Sequence, residues 1–77
     1  MVTLIRRADV LATLDDAGRE FRDGALVVRG DGIAWVGADR DVDAWIAAAP
    51  AERTPARTID ARGCVLVPGL VNAHHHL

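Results

Sequence analysis

Two apolar runs, Ala25-Leu26-Val27-Val28-Arg29 and Ile33-Ala34-Trp35-Val36-Gly37, flank the short link Gly30-Asp31-Gly32. No other stretch restricts this chain as tightly. β-Branched and aromatic residues suit extended, half-buried backbone, and a short link containing Asp-Gly matches the right-handed twist of two paired strands. The segment is therefore predicted to be a β-hairpin. Its glycines also invite a phosphate-loop reading, but a strand rather than a helix N-terminus follows Gly32, so they are read as turn residues.

The surrounding segments extend this β-rich pattern. Val2 to Ile5 and Val10 to Leu14 are short aliphatic runs, with Val10, Ala12 and Leu14 alternating with more exposed positions, and they are read as one or two strands. Asp15-Asp16-Ala17-Gly18 supplies turn chemistry, and Phe21 is expected to anchor the chain before a turn at Asp23-Gly24. The period then changes. Val42, Trp45, Ile46 and Ala49 recur at i, i+3, i+4 and i+7, one stripe of a helix over Asp39 to Ala49. Asp39 or Asp41 is expected to cap it, Asp43 to favour its first turn, and Pro50 to end it. Trp45 at that spacing is read as packing rather than a ligand platform. Ala51 to Arg57 reads as a polar connector, and Thr58-Ile59-Asp60 as extended. Ala61-Arg62-Gly63 turns the chain into Cys64-Val65-Leu66-Val67, with Asp60 and Arg62 shaping that turn rather than acting as an acid/base pair. The body is thus a small, mostly antiparallel β unit with one short helix.

Composition narrows the classes of partner. A chain of 77 residues buries only a modest core. Its net charge of −2, with all nine cations arginine, leaves no electrostatic footprint for nucleic acid or an anionic membrane. No segment approaches the roughly 18 to 20 apolar residues of a membrane span, and Arg6-Arg7 interrupts the N-terminus before any signal-length apolar run. The single cysteine, Cys64, excludes an internal disulfide and fits a reducing compartment, so the cytoplasm is the expected location. Because it lies in an apolar run, Cys64 is expected to be a small core residue.

The tail differs from the body. After Pro68-Gly69 a short extended segment, Leu70 to His76, carries apolar residues on both faces and ends in His74-His75-His76, all the histidines of the chain. Strands apolar on both faces belong to parallel sheets covered by helices, so this segment reads as the start of a β/α architecture. Extended backbone sends alternate side chains to opposite faces, so His74 and His76 share one face and His75 takes the other. Their Cα atoms lie about 6.6 Å apart. Two rings leaning together across that gap bring a nitrogen each to about 2.0–2.1 Å from one divalent ion. The pair forms half a site, since a catalytic zinc typically takes three protein ligands and one open position. The acids Asp15, Asp16, Asp39, Asp41 and Asp43 include ligand-like spacings, but turn and cap roles account for them.

The β-rich start, Ile59-Asp60-Ala61-Arg62-Gly63 and Val67-Pro68-Gly69-Leu70-Val71-Asn72-Ala73-His74-His75-His76 together resemble the amino-terminal segment of the amidohydrolase superfamily of metal-dependent hydrolases. The likeness covers the whole chain in layout and is specific over the last twenty or so residues. It implies that residues 1–67 belong to a β-sandwich-like domain and residues 68–77 to the first strand of a (β/α)8 barrel, with His74 and His76 as metal ligands at its C-terminal end, where such barrels carry their catalytic groups. Asn72-Ala73 looks more like the deaminase and chlorohydrolase branch, including guanine deaminase-like and triazine hydrolase-like enzymes, than the cyclic-amidase branch. The triple histidine followed by Leu77 is similar to 8-oxoguanine deaminases. The implied chemistry is hydrolytic deamination of a small heterocycle, purine-like and in one version 8-oxoguanine. A zinc, or alternatively an iron, would activate the attacking water. The remaining ligands and acid/base residues of the family map onto no residue of this sequence, and the 77 residues alone are expected to be inactive.

Other accounts of the same residues stand beside this one. The histidines can be a tag remnant, a solvated tail or incidental surface residues. The chain can also be a stand-alone β module that binds a partner, or holds a metal weakly without turnover. An open reading frame continuing past the codon for Leu77 would favour the enzyme segment, and a stop there the module. A last strand with a bare edge leaves pairing with a second copy, a homo-oligomer, as a further expectation.

Overall fold

The computed structural model describes residues 1–13 and 18–67. Five strands, β1 (Val2–Ala12), β2 (Glu20–Arg29), β3 (Gly32–Ala38), β4 (Arg57–Asp60) and β5 (Val65–Leu66), form one sheet. Two short helices, α1 (Asp39–Ala48) and α2 (Pro50–Arg53), lie between β3 and β4. The sheet order is β3-β2-β1-β4, with β5 also pairing β1.

The hairpin of β2 and β3 forms as expected. Arg29 pairs with Gly32 across a two-residue Gly30-Asp31 turn, and Gly30 takes φ 58 at its first central position. That is where a type II′ turn calls for glycine. β1 then pairs antiparallel with β2, from Val2 opposite Arg29 to Ala12 opposite Glu20.

The remaining pairings depart from the antiparallel expectation, because β4 and β5 both run parallel to β1. The reason lies in the crossover. β3 is antiparallel to β2 and β2 to β1, so β3 and β4 point the same way, and the chain must pass over two strands to connect them. The helices make that passage. A hairpin is a local signal, whereas a parallel partner is chosen by packing between distant segments.

Other boundaries also shift. The two runs at the N-terminus are one strand, with a register shift between Ile5 and Ala8 and a left-handed Arg7 at φ 63. The turn expected at Asp23-Gly24 is absent: β2 continues through it, with Asp23 at φ 51. Asp takes this conformation more readily than most residues, so a turn-like dipeptide here serves an irregularity within a strand. A Cβ at Gly24 would collide with that of Leu11, so the two strands approach too closely for a side chain there. Leu11 is fully buried whereas Val10 and Ala12 are only partly covered, so the run alternates in the opposite phase to the expected one, downstream of the register shift between Ile5 and Ala8. Leu14 lies outside the described residues, as do Asp15 and Asp16. The helical segment also divides in two. Pro50 begins a second, one-turn helix instead of simply ending the first, at a position where its missing N–H is harmless, and α2 replaces part of the polar connector.

Two apolar clusters build the core, one on each face of the sheet. Leu4, Ala25 and Val27 lie against Val42 of α1, flanked by Val2, Trp35, Trp45 and Ile46. The expected stripe of α1 thus faces the sheet. Trp35 and Trp45 stack at a centroid distance of 5.9 Å, and the Arg53 guanidinium lies 4.3 Å from the Trp45 ring. Packing, not ligand binding, therefore occupies the indole of Trp45. On the other face Ala8, Leu11, Leu26, Ala61 and Leu66 cluster, with Ile5, Phe21, Val28 and Val36 packed against them. Burying a side chain such as Leu26 or Val27 completely is worth about 1.5–3 kcal/mol.

Candidate functional site

The two histidines expected to hold a metal, His74 and His76, lie outside the described residues. What the structure defines is the frame that leads to them. β5 is only two residues long, and Val65 and Leu66 pair with Val10 and Leu11 of β1. Leu66 inserts into the core while Val65 stays 61% exposed. Cys64 is exposed as well, contrary to the expected core position. It directly follows a turn, and in this strand only Leu66 is buried.

That turn spans Ala61 to Cys64. The Cys64 N–H donates to the Ala61 carbonyl at 3.0 Å, and Gly63 takes φ 82, the positive value a type II turn needs at its third residue. The Arg62 N–H donates to Asp60 Oδ1 at 3.0 Å, and Arg62 Nε lies 3.5 Å from Asp60 Oδ2. Asp60 and Arg62 shape the turn, as the sequence suggested. From β1, the Asp9 N–H donates to the Cys64 carbonyl and Asp9 Oδ1 accepts the Gly63 N–H, both at 3.1 Å.

The densest charge cluster lies elsewhere, where β1 meets α1. Arg6 donates from Nε to Asp39 Oδ2 at 3.0 Å and from a terminal nitrogen to Asp39 Oδ1 at 2.9 Å, and it reaches Asp43 Oδ1 at 3.1 Å. The Arg7 N–H also donates to Asp39 Oδ2, at 3.0 Å. The Asp39 carboxyl is held below its ordinary range, chiefly by the hydrogen bonds from Arg6, against an opposing push from partial burial. Arg6 is raised further above its already high value by Asp39 first and Asp43 second. These acids therefore do not cap the helix. The N-cap position falls on Ala38, which has no polar side chain, so neither Asp39 nor Asp41 caps the helix; both lie in its first turn, and Asp39 is bonded to Arg6. Sequence reading missed this clamp. The available signal was Asp39 and Asp43 at i, i+4 on α1 with no basic residue in its last turn to answer them.

Both carboxylates of the clamp are engaged by the Arg6 guanidinium. Among the described residues no group of three or more His, Cys, Asp or Glu side chains is placed to hold a metal ion. No helix among them is long and apolar enough to cross a membrane.

No family model matches the sequence. The chain is 44% identical over 79 positions to an imidazolonepropionase of Anaeromyxobacter sp. (strain K), a match covering 97% of this chain and 17% of that protein. It is 42% identical over 81 positions to a 5-methylthioadenosine/S-adenosylhomocysteine deaminase of Syntrophobacter fumaroxidans (strain DSM 10017 / MPOB), covering 91% of this chain and 16% of that one. Among solved structures, a triazine hydrolase from Arthobacter aurescens superposes with a TM-score of 0.62 at 31% identity, over 83% of this chain and 12% of that one. The chain thus spans about a sixth of the length of the curated relatives it matches. Their shared superfamily, together with a mostly β structure that superposes on one of its solved members, identifies this chain as an amino-terminal segment belonging to the amidohydrolase superfamily.

Proposed function

We propose that the complete protein hydrolyses a C–N bond of a small nitrogen heterocycle, and that this chain contributes the first two ligands, His74 and His76, of the metal that activates water. In this reading residues 1–67 form part of a β-sandwich-like domain, and residues 68–77 are the first strand of a (β/α)8 barrel. The observation that carries it is the extent of the match to the imidazolonepropionase. At 97% of 77 residues only about two positions are left out, so the aligned span reaches His74 and stops no more than two residues short of Leu77.

Two imidazoles at i and i+2 of an extended segment fit zinc, a borderline ion that accepts nitrogen donors, and also suit iron. When bound, the ion supplies Lewis acidity that brings water toward ionisation near neutral pH. The chain's own part is to aim the two rings. If this segment is extended, alternation would put His74 and His76 on one face and His75 on the other. Leu66 in the core and the pairing of β5 with β1 tie the chain down shortly before the segment begins. The substrate is a purine-like ring bearing an exocyclic amine, with 8-oxoguanine as the specific candidate, on the strength of the His-His-His-Leu ending. A second reading, hydrolysis of an imidazolone, is favoured by the relatives named imidazolonepropionase.

The test is substitution in the full-length protein. His74→Ala and His76→Ala should each lose bound metal and hydrolytic activity together, by about a hundredfold or more, while His75→Ala changes both far less. Equal effects at all three positions would refute the strand-face assignment. Assays with 8-oxoguanine and with an imidazolone separate the two substrate readings.

A further inference from the structure

The departures from regular pairing all fall at one level of the sheet. Arg7 at φ 63 and Asp23 at φ 51, the two non-glycine residues with positive φ among the described residues, flank the Ala8–Gly24 pair on neighbouring strands. The outer strands break beside them. β3 ends at Ala38 opposite Gly24, β4 ends at Asp60 opposite Arg6, and β5 begins at Val65 opposite Val10. One line therefore crosses the sheet between Arg6 and Val10 of β1 and divides it into a larger and a smaller part.

The two parts are held differently. The cluster under α1, with Leu4, Ala25, Val27 and Trp35 against Val42 and Trp45, draws only on the larger part and the helix. The smaller part, residues 8–12, 20–24 and 65–66, has no share in that cluster; its Ala8, Leu11 and Leu66 meet the larger part through Leu26 on the opposite face. A polar tie sits on the line itself. Asp39, the first residue of α1, accepts the Arg7 N–H at 3.0 Å while Arg6 donates to both of its oxygens, so the start of the helix grips the left-handed residue. Left-handed backbone is unfavourable for a residue with a Cβ and persists only where surrounding contacts impose it. Without the Asp39 acceptor Arg7 returns to extended backbone, and the strand beyond it turns away.

We propose that this line is a hinge, that residues 8–12, 20–24 and 65–66 open and close as one unit against the rest of the sheet, and that Asp39 is the latch holding Arg7 in the closed form. Opening uncovers Leu11 and Leu66, both buried when the latch is shut. It costs less than global unfolding, because the larger part keeps its helix-covered core. The device involves no metal ligand, so it stands or falls independently of the hydrolase reading.

The experiment is amide hydrogen exchange on the full-length protein in urea concentrations below the unfolding transition, with the parent, Val42→Ala and Asp39→Ala. In the parent, the ladder amides of residues 8–12 and 20–24 should exchange through one shared opening with a shallower urea dependence than those of Ala25 to Val28. Equal dependence in both groups overturns the hinge, whatever the variants do. Val42→Ala weakens packing that the open form retains, so it should speed exchange at Ala25 to Val28 about tenfold or more and leave the smaller part within about twofold. Equal acceleration of both parts overturns the separate opening. Asp39→Ala removes a bond that opening breaks, so it should speed the smaller part about tenfold as well as the larger. A smaller part unmoved by Asp39→Ala overturns the latch.

Discussion

Two strands flank β1, one on each side, and have opposite characters. In β2, Ala25, Leu26 and Val27 are buried in succession, because α1 covers one face and the second cluster fills the other. In β4, Arg57 to Asp60 are all exposed, although this strand is hydrogen-bonded to β1 just as β2 is. Backbone pairing alone therefore does not make a core. The difference lies in whether something covers the faces, and in this chain the helix and the long hairpin cover the β2 side.

The largest expected effect tests that contrast directly. Leu26→Ala should lower unfolding free energy by about 2–5 kcal/mol, whereas Ile59→Ala, at 37% exposure, should change it by about 1 kcal/mol or less. Urea midpoints measure both, and comparable losses would mean that β4 is covered in the complete protein. A middle effect belongs to the clamp joining β1 to α1. Arg6→Ala should destabilise by about 1.5–3 kcal/mol, since it strands the partly buried Asp39 carboxylate. The pH dependence follows from the depressed ionisation of Asp39. Its stabilising contribution is complete above the ordinary carboxylate value of 3.8 and is lost as pH falls through the lower folded value. Asp39→Asn should thus be clearly weaker than the parent at pH 7 and approach it in acid, as urea midpoints across pH will show. The smallest effect is a gain. Arg7 sits at φ 63, so Arg7→Gly should relieve strain and stabilise by up to about 1 kcal/mol, provided the Arg7 N–H keeps its bond to Asp39. A loss there would show that the Arg7 side chain, near Asp60 at 4.0 Å, outweighs the strain.

What could be read from sequence follows the range of the interactions involved. The hairpin and the α1 stripe are local patterns, and both formed where Gly30-Asp31 and Val42-Trp45-Ile46 placed them. The sequence left β1 open as one strand or two across Arg6-Arg7, and the continuity of β2 through Asp23-Gly24 was hidden, because irregular residues inside a strand look like residues that end one. Parallel pairing of β4 and β5, the exposure of Cys64 and the Arg6–Asp39–Asp43 clamp depend on segments thirty or more residues apart, which no local window holds. The His74 and His76 pair is an expectation from alternation and from the family resemblance, and it falls outside the described residues.

The central position of β1 has a consequence for the order in which the molecule can be assembled. Its first neighbour is complete by Arg29, but the second begins only at Arg57. During synthesis the amino-terminal strand therefore waits, paired along one side, while the crossover emerges. Any ribosomal pause in that interval leaves a long bare flank open to strands from neighbouring nascent chains.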